Sequence, residues 1–259
     1  MDRGCMLHAL ILKNGLFYGD PYAGTALLGL FGRHGFVDEA IRIFEALPKK
    51  SLITWNSIIS LLVCHGFMVE SLALFRELMS SNYSFSGTTL VSLLAGFTGE
   101  EDLELGGQLH GLAIKNCFDI EFSVSNTLLN MYVKCLDDGL SEKLFEEMPF
   151  RDVVSCNIMI GRIAKGERPE RALMLLLNMS IDRVFPNQTT YVRVINSCAT
   201  LRIPTYGEYV HAKVIKTHSS MMFLWVVPWL ISMANAAYWM LLVAVLMKYM
   251  TKMLFHGML

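Results

Sequence analysis

The 259-residue chain has little of what most enzyme chemistry needs. Its six cysteines (Cys5, Cys64, Cys117, Cys135, Cys156 and Cys198) stand singly, with no Cys-x-x-Cys pair. A chain of this length does not depend on disulfide staples, so buried thiols in a reducing compartment are expected. None of the seven histidines is followed by x-Glu, and there is no HExxH, no GxSxG and no GxxxxGK loop ending in Ser or Thr. That excludes the familiar zinc, serine-nucleophile and phosphate-loop signatures, and catalysis is not expected. No cofactor or metal is implied. Charge of either sign is not in excess: the net of -1 argues against a broad basic surface for nucleic acid. Nineteen glycines and seven prolines are too scattered for a low-complexity linker. The start has neither the apolar run of a signal peptide nor the Arg- and Ser-rich composition of a transit peptide.

One absence is local. From Ser219 to Leu259 there is no Asp or Glu, although the chain holds 23 acidic residues. The same stretch carries 8 of the 17 Met and 3 of the 4 Trp. The mean hydropathy of +0.42 therefore averages an ordinary polar chain and an apolar tail. Residues 221–247 are uncharged and long enough for a transmembrane helix, with Trp and Tyr suited to an interface. Membrane contact through these residues is one expectation.

What the chain does have is self-similarity. LHALILKNG (7–15) returns as LHGLAIKNC (109–117) and again as VHAKVIKTH (210–218). FGRHGFVDEAIRIFEALP (31–48) returns as YVKCLDDGLSEKLFEEMP (132–149), and ITWNSIIS (53–60) as VSCNIMIG (154–161), both at an offset of 101. Three different phrases on one period of about 101 residues indicate tandem units.

Breaks after Asp20, Ser51, Ser86, Glu121, Asp152 and Asn187 divide the period into units of 31 and 35 residues. Within residues 52–86, Ile58, Leu61 and Leu62 make one helical stripe and Leu72, Phe75 and Met79 a second. Gly66 between them suits a helix C-terminus. Two short amphipathic helices cannot bury their faces alone, but stacked copies can. The expected fold is all-α, a right-handed α-solenoid with almost no β structure. Trp55 is expected in its core.

WNSIIS, the helix endings FRELM and FEEMP, the LH…IKN phrase and the 35/35/31 alternation resemble plant pentatricopeptide repeat (PPR) proteins of the PLS subclass. The resemblance covers about residues 4–218. It implies a partial L repeat at 1–20, then S (21–51), P (52–86), L (87–121), S (122–152), P (153–187) and L (188–220), truncated at both ends.

It further implies binding of single-stranded organellar RNA, in a mitochondrion or chloroplast, by a monomer. Each repeat would offer one unstacked base a pair of side chains for its edge and an apolar residue for its face. Carried onto this chain, the pairs are Asn56 with Ser86, Asn126 with Asp152, Asn157 with Asn187, and more weakly Thr25 with Ser51. Asn with Asp favours U, Asn with Asn or Ser favours C, and Thr favours a purine. Val91 and Val192 hold the corresponding place in L units and cannot hydrogen-bond a base edge. Relatives often end in a zinc deaminase domain whose His-x-Glu and Cys-x-x-Cys are missing here. Any editing role would therefore use an enzyme in trans.

Plainer roles compete with these. An Asn near a helix start is often a cap, and His8, His110 and His211, on the apolar second helix of L units, suit packing or inter-helix hydrogen bonds. A protein-binding helical adaptor and a membrane-anchored solenoid remain alternatives. The tail has a rival reading too. Back-translated and read out of phase, Met233–Leu259 permits YGKCGLLDAARRCFDEIYDKNVVSWNA, an S unit leading into a P unit, as a frameshift would produce.

Overall fold

The computed structural model describes residues 21–201 apart from residue 82 and residues 165–169. Among these residues there are eleven α-helices, one 3-10 turn (Glu100–Asp102) and no strand. The helices are α1 (Pro21–Arg33), α2 (Val37–Ala46), α3 (Leu52–Cys64), α4 (Met68–Ser80), α5 (Gly87–Leu94) and α6 (Leu103–Lys115). They continue as α7 (Phe122–Lys134), α8 (Asp138–Glu147), α9 (Val153–Ile163), α10 (Glu170–Ile181) and α11 (Gln188–Leu201). The partial repeat at 1–20, the second half of 188–220, His8, His211 and the apolar tail with its expected C-terminal helix lie outside the described residues. No described helix is long and apolar enough to cross a membrane.

The chain divides into two compact units, Met1–Ser141 and Glu142–Leu259. In the first, α1 packs on α3, α3 on α5 and α5 on α7, while α2, α4 and α6 each bridge the helix before and the helix after. In the second, α9 packs on both α10 and α11, and α10 on α11.

Burial follows from that stacking. Helix α3 lies between neighbours and buries Thr54, Trp55, Ile58, Ile59, Leu61 and Leu62, more than one stripe of its surface. Helix α7 does the same with Val124, Ser125, Leu128, Leu129, Met131 and Tyr132. Helix α4 buries a single stripe of Ser71, Phe75 and Leu78, as expected of a helix with one wet face. Trp55 is in the core, its ring edge-on to Phe44 with centroids 4.8 Å apart.

The α4 stripe departs from the sequence reading, which put Met79 inside. Met79 is exposed and Leu72 only half-buried, while Ser71 and Leu78 are fully enclosed. Small size is the reason. Ala40, Ser71, Gly106, Ser141 and Ala172 occupy one place on the even-numbered helices α2 to α10, and each is buried. A small residue there lets backbones approach. At Gly106 a methyl would meet the Met131 side chain.

Three turns inside helical pairs use left-handed backbone. Gly35 (φ 77) and Gly66 (φ 82) provide it without a Cβ penalty. Leu136 adopts the same conformation (φ 57) with its side chain exposed.

Candidate nucleic-acid interface

The residues that close one helical pair also start the next helix. Ser51 Oγ accepts from the Thr54 amide at 3.2 Å, and the Ser51 amide donates to Thr54 Oγ1 at 3.3 Å. Asp152 Oδ1 accepts from the Ser155 amide at 2.8 Å, and Ser155 Oγ accepts from the Asp152 amide at 3.0 Å. Asn187 Oδ1 accepts from the Thr190 amide at 3.1 Å, and the Ser86 amide donates to Thr89 Oγ1 at 3.1 Å. These contacts satisfy amides that a helix start leaves without partners. Capping is thus done by Ser51, Asp152 and Asn187. Asn56, Asn126 and Asn157 each lie in the second turn of a helix and are not caps.

Two predicted pairs meet directly across thirty residues. Asn56 Nδ2 donates to Ser86 Oγ at 3.5 Å, and Asn157 Nδ2 donates to Asn187 Oδ1 at 3.1 Å. Asn56 Oδ1 also accepts from Thr89 Oγ1 at 2.7 Å. Thr25 and Ser51 are joined through a third residue: the Thr54 hydroxyl lies 2.9 Å from each of theirs. Asn126 is half-buried in the first unit, and Asp152 belongs to the second. Val91 and Val192 are both half-buried.

The hydroxyls of Thr54, Thr89, Ser155 and Thr190 are the participants that sequence reasoning missed. All four are fully buried. Their signal was readable: each stands three residues after a Ser, Asp or Asn that closes a unit. Apolar side chains stand beside three of the polar positions. Tyr22, Ile53 and Val154 are exposed and sit three residues before Thr25, Asn56 and Asn157. That spacing puts each beside its polar partner on one helix face.

Several other titratable groups have structural partners. His110 Nδ1 lies 2.9 Å from Tyr132 Oη, an inter-helix hydrogen bond, and burial raises the Tyr132 phenol above its ordinary range. Burial pushes the Cys156 thiol up to about 11, so it stays protonated and is a poor nucleophile. Glu142 Oε1 receives Arg171 Nη1 at 2.9 Å and Arg162 Nη1 at 3.1 Å. The Arg171 hydrogen bond chiefly, then that of Arg162, holds its carboxyl below the usual carboxylate range. Among the described residues no group of three or more His, Cys, Asp and Glu is placed to hold a metal.

Helical pairs stacked through their first helices, with polar side chains joined from one pair to the next, define an α-helical repeat protein of the solenoid class. The PPR repeat family model matches residues 25–52, 53–83 and 123–153. A pentatricopeptide repeat-containing protein of Arabidopsis thaliana is 38% identical over 213 residues, 82% of this chain and 29% of its own length. A second, described as chloroplastic/mitochondrial, is 35% identical over 203 residues, 76% of this chain and 31% of its own. The crystal structure of the pentatricopeptide repeat protein PPR10 from maize superposes with a TM-score of 0.68 at 16% identity, covering 88% of this chain and 33% of that one. PPR10 in complex with an 18-nt psaJ RNA element gives 0.66, also at 16% identity, over 99% and 38%. The chain belongs to the PPR repeat family. It spans roughly a third of the length of these relatives.

Proposed function

We propose that this chain binds single-stranded RNA base by base, as a specificity factor. The observation that carries the reading is the recurrent polar pair, Asn56 with Ser86 and Asn157 with Asn187, each joined across thirty residues. Asn187 uses its Oδ1 for the cap and for Asn157, which leaves its amide hydrogens for an acceptor on a base edge. Tyr22, Ile53 and Val154 supply apolar surface for a ring face beside the pairs. The RNA-bound PPR10 structure shares this fold.

Finer elements belong to the same proposal. The units are S (21–51), P (52–86), L (87–121), S (122–152), P (153–187) and L (188–220), the pattern of the PLS subclass. Asn126 with Asp152 and Thr25 with Ser51 complete the reading track. The RNA is organellar, which relatives named as mitochondrial or chloroplastic support. The process is RNA processing or editing, with any editing enzyme acting in trans.

A gel-shift series tests it, using RNAs that carry C or U opposite each pair against wild type, Asn126→Ala and Asn157→Ala. Each substitution is expected to weaken binding and to blunt the C/U preference at its own position. Equal binding of every RNA by all three proteins would count for a protein-binding adaptor instead.

A further inference from the structure

Arg193 is unlike its counterparts. The residue following the predicted reading position is Ala26, Ser57, Ser92, Thr127 and Ile158 on α1, α3, α5, α7 and α9. On α11 it is a half-buried arginine. Its Nη1 crosses to α9 and donates to the backbone oxygen of Asn157. Gly161 makes room, because a methyl there would collide with the guanidinium. A guanidinium carries five N–H donors, and Asn157 engages one nitrogen. None of the ion pairs among the described residues supplies Arg193 with a carboxylate.

A second observation lies at the same spot. Asn157 is only 7% exposed, and its Oδ1 is buried without a hydrogen-bond partner. An unfilled acceptor and an uncompensated cation therefore stand side by side at the Asn157–Asn187 pair. A nucleotide complements both, with a donor on its base edge and an anionic phosphate.

Resting on the RNA-binding reading above, we propose that Arg193 binds a backbone phosphate of the nucleotide seated at Asn157 and Asn187. The unit that begins with α11 places Val192 where a base would be read. It thus contributes charge to the strand, and affinity without sequence preference, through the residue next to that valine.

The test compares wild type, Arg193→Gln and Arg193→Lys in the full chain, binding a randomised single-stranded RNA 20-mer across a salt series. Loss of one phosphate contact makes the slope of log affinity against log salt shallower by about 0.7 for a single strand. Between 50 and 200 mM salt, the advantage of wild type over Arg193→Gln then shrinks about 2.6-fold. Arg193→Lys is expected to keep the wild-type slope. Arg193→Lys keeps the charge but not the guanidinium packed against Gly161, so a purely structural role predicts that it behaves like Arg193→Gln rather than like wild type. An unchanged slope in Arg193→Gln overturns the proposal. If wild type binds no single-stranded RNA, the RNA-binding reading itself fails; if it binds and the slopes agree, only the Arg193 assignment does.

Discussion

Thr89 Oγ1 donates to Asn56 Oδ1 at 2.7 Å, so a buried hydroxyl at the start of one helix fixes the amide of a residue two helices earlier. With Oδ1 taken, Asn56 Nδ2 is turned to Ser86 Oγ. Which way an asparagine amide faces decides whether it offers a donor or an acceptor to a ligand. On the RNA-binding reading proposed above, Thr89 acts on recognition through Asn56.

Thr89→Val keeps the shape and removes the hydroxyl. It leaves both Asn56 Oδ1 and the Ser86 amide short of a partner, at a cost of about 1–3 kcal/mol. The expected result is a lower midpoint in urea unfolding, together with reduced discrimination between C and U at this repeat. Unchanged discrimination would show that Asn56 does not depend on Thr89.

Asp152 caps α9 with its side chain, and Asn is an equally good cap. Asp152→Ala is expected to lower stability by about 1 kcal/mol, and Asp152→Asn by much less. Thermal unfolding of the three proteins side by side measures the difference. Equal losses in both variants would point to the charge rather than the cap.

Glu142 ties together two arginines, and its carboxyl is held below the ordinary range, so the folded state binds its proton less readily than the unfolded chain. The stabilisation is therefore present above the unfolded carboxylate value and lost as pH falls through the lower, folded one. Urea midpoints measured from neutral pH downward should fall more steeply in wild type than in Glu142→Gln. Parallel curves would remove the ion pair as the cause.

Two glycines predict opposite signs. Gly66 sits at φ 82 with open space around it, so Gly66→Ala suffers only the left-handed backbone penalty of about 1 kcal/mol. Gly29 lies within α1, also with nothing within 4 Å of an added methyl. Gly29→Ala is expected to stabilise by roughly 0.5–1 kcal/mol through helix propensity. Differential scanning calorimetry separates the two, and two shifts of the same sign would contradict this account.

The helical class was legible because apolar residues recur at helical spacing, and the turn at Gly66 because glycine is the residue that tolerates φ 82. Trp55 was legible as core from its place beside an apolar run. The buried stripe of α4 was not: counting apolar residues gives no weight to Ser71, which is enclosed because it is small. Asn56 and Asn157 were singled out by the family resemblance, and the recurrence of asparagine at matched places added to it. Thr54, Thr89, Ser155 and Thr190 escaped notice because a hydroxyl near a helix start carries no hydrophobic signal. Arg193 could not be read from its neighbours in sequence, since its seat depends on Gly161 in another helix.

Ser51, Asp152 and Asn187 each finish one helical pair and cap the helix that opens the next. Such a position cannot be recoded freely. Any replacement chosen to change what one repeat prefers must also be a good first residue for its neighbour, which confines the useful vocabulary to Ser, Thr, Asn and Asp. On the RNA-binding reading proposed above, folding and recognition would draw on the same short alphabet, and a recoded repeat that stays within it leaves the cap of the following helix in place.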